Sequence, residues 1–154
     1  MSFEDVLRFI AVFASGIGAG ILVVAMAAIV PAMLSLPDST ALSFKQRFDP
    51  LVDRINPPLE FGALIAGALV LIVADDAPTT ATVATIVGLA GTVGVAATSL
   101  GVNMRINRRM ASWSPDAPPS EFRSSMKRWR GSHAVRTLSG VTAFAAYLVA
   151  AIAA

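Results

Sequence analysis

Residues 9–34 read FIAVFASGIGAGILVVAMAAIVPAML, without one charged side chain. A helix needs roughly 20 apolar residues to cross the hydrocarbon core of a bilayer, and this run is longer. It is too long for a signal-peptide core of ~7–15 residues, and the acids Glu4 and Asp5, not a basic cluster, lie ahead of it. It is expected to be retained as a membrane span.

Working outward, three more stretches fit the same description, at about 57–74, 79–102 and 133–154. The second is the shortest and carries Glu60 near its start, and the fourth holds one charge, Arg136. Of the 154 residues, 55% are hydrophobic and 14% charged, against about 25% charged in soluble domains. Mean hydropathy is +0.69. These features predict an all-α fold: one integral membrane domain over 1–154, built as a four-helix bundle. Small residues at four-residue spacing (Gly16 and Gly20, Ala63 and Gly67, Ala90 and Gly94) let helix backbones approach closely in lipid. They are read as packing within the bundle in preference to a dimer face.

Eleven of the twelve basic residues fall in the first and third connections or at the border of the fourth span, and only Arg8 lies elsewhere. The second connection holds the acids Asp75 and Asp76 and no base, and is read as a solvated turn. The positive-inside rule then puts the basic connections in the cytoplasm and both termini outside a cell membrane. This asymmetry accounts for the basic character without nucleic acid. The basic faces are expected to meet anionic lipid headgroups.

The first connection has its own pattern. Phe44, Phe48, Leu51, Val52 and Ile55 recur at helical spacing, with Lys45, Arg47, Asp49, Asp53 and Arg54 between them. That predicts an amphipathic helix lying at the membrane interface between spans 1 and 2, capped by Asp38, Ser39 or Thr40. The alternative is a plain linker.

With no cysteine and one histidine, thiolate metal sites, disulfides and multi-histidine clusters are excluded. Polar chemistry gathers instead in 103–136. Asn103, Asn107 and Met110 share a face if span 3 runs on as a helical extension. After the Pro115–Pro119 break, Phe122, Met126, Trp129, His133 and Arg136 form one continuous face running into span 4, with a helix break conceivable at Gly131–Ser132. A charge at membrane depth needs a partner, and Glu60 is the natural one for Arg136. His133, Arg136, Glu60, Asn103 and Asn107 are thus expected to form a pocket at the cytoplasmic end, roofed by Trp113 and Trp129. Each has a plainer reading. Glu60–Arg136 would serve as a register-fixing pair, and the tryptophans as interfacial anchors. A lone histidine serves as a general base, a single axial haem ligand or a hydrogen-bonded structural group.

The run from Asn103 through Asn107 to Trp113, then Phe122, Trp129, His133 and Arg136, resembles the anthrone oxygenase family of small four-span membrane proteins. The likeness covers the chain, with its specific residues in the last third. Phe122 stands where a tryptophan is often seen. The resemblance implies oxidation of a lipophilic anthrone- or quinone-like aromatic by dioxygen, with no cofactor and no metal. His133 and Arg136 would be catalytic, and Glu60, Asn103, Asn107, Trp113 and Trp129 would bind substrate. The competing reading is a non-catalytic accessory or assembly protein, alone, as a homo-oligomer or in a larger membrane complex. A transporter is the weaker third, because no broken inverted repeat is evident.

Overall fold

The computed structural model describes residues 2–74 and 76–154. Asp75 of the expected acidic turn lies outside them, and Asp76 is exposed. All regular structure among the described residues is helical: α1 (Phe3–Val24), α2 (Val30–Leu34), α3 (Asp38–Val73), α4 (Thr79–Thr98), α5 (Met104–Ala111) and α6 (Phe122–Ile152). A π-helical turn, Ala25–Ile29, joins α1 to α2 without a break, and a second, Ser99–Asn103, joins α4 to α5. The four resulting rods, Phe3–Leu34, Asp38–Val73, Thr79–Ala111 and Phe122–Ile152, are each long and apolar enough to cross a membrane. The chain is a multi-pass membrane protein.

Sequence neighbours pack as spatial neighbours. The rod containing α1 lies against α3, α3 against α4, α4 against α6, and α6 back against α1, while α3 and α6 face each other diagonally and meet mainly through long side chains. That is an up-down-up-down bundle. Both termini lie at one end, here the terminal end; the α2–α3 and α5–α6 connections lie at the other, here the basic end.

Local chemistry explains several element boundaries. Ser2 Oγ accepts from the Asp5 amide at 3.1 Å and the Asp5 carboxylate accepts from the Ser2 amide at 2.7 Å, a reciprocal cap that starts α1. No side chain caps α3, contrary to the expectation for Asp38, Ser39 or Thr40; Pro37 holds the cap position, and Asp38 is engaged by Arg123 of α6.

Two expectations are corrected. The interfacial helix and the second span are one continuous helix, α3, although Pro50, Pro57 and Pro58 lie inside it and each removes an amide from the ladder. Its polar residues are not all outward either. Lys45 is 1% exposed, while Phe44, Leu51 and Ile55 are 41%, 58% and 54% exposed. Arg47, Asp53 and Arg54 stay exposed, so it is Lys45 in particular that turns inward, where a polar group must find partners. Helix α6 also runs unbroken through Gly131 and Ser132, because its inner face is packed along its length.

The terminal half is closed by small residues. A Cβ on Gly91 of α4 would stand 2.8 Å from the Ser139 carbonyl oxygen and 2.9 Å from the Ala143 amide nitrogen of α6, so only glycine permits this approach. Tyr147 of α6 fills the space left by Gly67 of α3 and Gly88 of α4. Of the leading small-residue pair, Gly16 faces Phe144 inside the bundle, whereas Gly20 meets nothing within 4 Å. The basic half has bulkier filling, from Val30, Met33, Leu42, Met110, Phe122, Met126 and Trp129.

Candidate functional site

The expected face of α6 is present. Phe122, Met126, Trp129 and His133 are all buried, at steps of four, three and four. Phe122 and Met126 anchor the basic-half core. Trp129 and His133 stack with ring centroids 4.8 Å apart and planes within 11°. Arg136 continues the face one turn deeper and is partly buried.

The two π turns receive this face. His133 Nε2 lies 3.3 Å from the Leu22 carbonyl, where α1 approaches its π turn, and Thr137 Oγ1 donates to the same oxygen at 3.5 Å. Arg136 Nη1 donates to Ser99 Oγ at 3.3 Å, at the first residue of the other π turn. Widening a helical ring by one residue slips the amide–carbonyl pairing and turns the backbone, which offers side chains contacts that a straight helix withholds. A carbonyl can only accept, so His133 Nε2 carries the proton toward Leu22, and neutral imidazole keeps its lone pair on Nδ1. That Nδ1 has no hydrogen-bond partner among the described residues, and neither do Trp129 Nε1 and Arg136 Nε.

Beside these groups is a recess lined by Ile21, Leu22 and Ala25 of the first rod, Phe48, Asp49, Val52 and Asp53 of α3, Asn107 of α5, and Trp129, His133 and Arg136 of α6. Its volume is about 20 Å³, enough for one water-sized molecule. A separate cleft of about 160 Å³ on its flank shares Asp49, Asp53 and Asn107 with it and is otherwise lined by Lys45, Gln46, Pro50, Arg108, Met110 and Ala111.

The wall between the two carries a cluster that sequence reasoning missed. Lys45 Nζ donates to both Asp49 oxygens, at 2.8 and 3.1 Å, and to Asn107 Oδ1 at 3.1 Å. It also stands 4.0 Å from the centre of the Trp129 ring. In sequence Lys45 looked like one of several cations on the polar side of an interfacial helix. Its spacing of four from Asp49 was the available signal, but that spacing did not reveal which side faces inward.

Of the predicted residues, Asn107, Trp129, His133 and Arg136 meet at the recess. Asn103 supports it from behind, donating to the Trp129 carbonyl at 3.4 Å and accepting from Ser132 at 2.7 Å. Two predicted members lie elsewhere. Glu60 does not pair with Arg136. Its carboxylate accepts from Asn56 one turn earlier at 2.9 Å, and it lines a different small cavity among Ser15, Gly18, Thr92 and Gly140. Trp113 does not roof the recess. It packs edge-on against Phe122 at 6.5 Å, its carbonyl accepts from Gln46, and it closes the basic-half core. The short α5 ends at Ala111, and the chain turns away before Trp113 can reach over His133.

Fold and site together define a four-span helical membrane bundle with a buried histidine–arginine–asparagine recess at its basic end. The family described as anthrone oxygenase matches residues 48–146, and the chain belongs to that family. No curated protein and no solved structure matches the chain.

Proposed function

We propose that the chain is a membrane oxygenase acting on a lipophilic, enolisable aromatic ketone or phenol of the anthrone class, bound with its reactive edge in the recess beside His133. The observation that carries this reading is the orientation of His133. Its Nε2–H is committed to the Leu22 carbonyl, which leaves an unpartnered, buried Nδ1 lone pair to take a proton. The unpartnered donors Arg136 Nε and Trp129 Nε1 suit an oxygen that gains negative charge as that proton leaves. The resulting carbanion forms a C–O bond with dioxygen, the peroxide anion takes back the proton held by His133 to give a hydroperoxide, and loss of water from it leaves the new ketone. The recess itself admits only the reactive edge. The rings would lie toward the lipid, between α1 and α3, where Ile21, Ala25, Phe48 and Val52 border it. We further infer that the basic end faces the cytoplasm, by the positive-inside rule.

The size of the recess favours a second reading, in which the cluster only fixes helix register in an accessory protein. Purified protein in detergent or vesicles, given an anthrone under air, separates the two. The oxygenase reading expects dioxygen uptake matched by quinone absorbance, and loss of both in folded His133→Gln and Arg136→Gln. No turnover by the parent protein, or equal turnover by folded variants, leaves the register-fixing reading.

A further inference from the structure

Lys45 is among the most completely buried large side chains of the molecule, and it lies three residues before the stretch that matches the family. Burying an ammonium is costly unless its hydrogen bonds are satisfied. Here they are satisfied across three elements. Asp49 is on α3, Asn107 on α5, and the Trp129 ring on α6. For filling space alone, a methionine or leucine would avoid the desolvation. What the ammonium adds is direction. It is drawn to the face of an indole, and its two oxygen partners fix where it stands. The same indole is stacked at 4.8 Å on His133, whose buried ring makes one hydrogen bond among the described residues, through Nε2 to Leu22. A single hydrogen bond fixes one point of an imidazole and leaves rotation about that point. The stack removes that rotation.

We propose that Lys45 is a positioning residue for His133, acting through Trp129: the Lys45–Asp49–Asn107 cluster holds the indole, and the indole holds the imidazole plane so that Nδ1 stays at the recess. This rests on the reading of His133 as the working base, but its test does not. His133 is the only histidine, so selectively labelled protein gives one set of imidazole signals. Stacking on Trp129 displaces its ring protons upfield, and Trp129→Leu defines the unstacked position. The variant is Lys45→Met with Asp49→Asn, which removes the ammonium without stranding a carboxylate. In this variant the His133 signals are expected to move most of the way to the unstacked position and to broaden. In Lys45→Arg they should stay near their native position.

If the double variant does not fold, Asn107→Ala carries the test. It frees the ammonium from α5, and a partial move of the same signals is expected. Unchanged His133 signals in a folded double variant, or in folded Asn107→Ala, overturn the proposal. With an anthrone, kcat of the double variant should fall roughly 10–100-fold, as for a misplaced catalytic group, with KM little changed. Signals that respond in a protein whose parent shows no turnover would keep the positioning role and sink the oxygenase reading instead.

Discussion

The two halves of this bundle solve opposite problems with the same four helices. The terminal half is held by close approach, with glycine and alanine at many of the places where α4, α3 and α6 meet and Tyr147 wedged between them. Glu60, which lines a cavity there, is tied to Asn56 on its own helix. The basic half is held by bulky side chains around a polar knot in which Lys45 of α3 donates to Asn107 of α5 and stands over the Trp129 ring of α6. Lipid offers no hydrophobic drive between helices, so packing and internal hydrogen bonds must supply the cohesion. The terminal half relies mainly on packing, with the Thr92–Tyr147 hydroxyl contact at 3.4 Å across α4 and α6, and the basic half adds several hydrogen bonds from α3 to α5 and the residues just after it. Among the described residues only the second arrangement leaves unpartnered nitrogen atoms beside a recess, which is why the proposed chemistry is assigned to that half.

The sharpest test of this division is the loss of the base. His133→Gln is expected to lower turnover of an anthrone by about 10²–10⁴-fold in a protein of near-native thermal midpoint, measured by dioxygen uptake and by circular dichroism on heating. Comparable turnover would remove the contrast between the halves. Next is Lys45→Met alone. It leaves Asp49, 15% exposed at the flanking cleft, without its ammonium, and a midpoint loss equivalent to about 1–3 kcal/mol is expected, with recovery of a good part of it on adding Asp49→Asn. A single variant as stable as the parent would show that the knot is not an interdependent unit.

The terminal half should respond differently. Gly91→Ala pushes a methyl group against the Ser139 and Ala143 backbone, which cannot yield as a side chain can. About 1–3 kcal/mol of stability should be lost, while kcat of the protein that remains folded is unchanged. A fall in kcat would mean that the two halves are coupled. The smallest effect is expected at the connections of the basic end. Arg123 binds Asp38 and donates to the Leu34 and Leu36 carbonyls at 2.8 and 2.9 Å, but it is exposed. Arg123→Gln should cost at most about 1 kcal/mol, seen as earlier proteolysis of the α2–α3 connection with the midpoint almost unmoved.

Much of this was legible in the sequence because membrane insertion is decided by local composition. The four apolar runs, the continuous face of α6 from Phe122 to His133 that Arg136 extends, and the shared face of Asn103, Asn107 and Met110 follow from hydropathy and a period of 3.6; the runs are observed, and both faces turn inward with Asn107 and Arg136 only part-buried. The same reasoning misplaced three residues: α5 ends too soon to carry Trp113 over the recess, Glu60 bonds to Asn56 on its own helix, and Lys45 turned inward. Periodicity shows which residues share a side of a helix, but which side faces inward depends on the neighbouring helices. Phe44 and Lys45 could each have been the buried one, and the polar partners offered by Asn107 and Trp129 decided it. The π turns at Ala25–Ile29 and Ser99–Asn103 leave no mark in residue type, yet they present Leu22 and Ser99 to His133 and Arg136. The sequence by itself determined four spans, the polar end and the site face on α6. Only the tertiary structure decided what that face meets, because partners remote in the chain are brought together by packing, which no local pattern records.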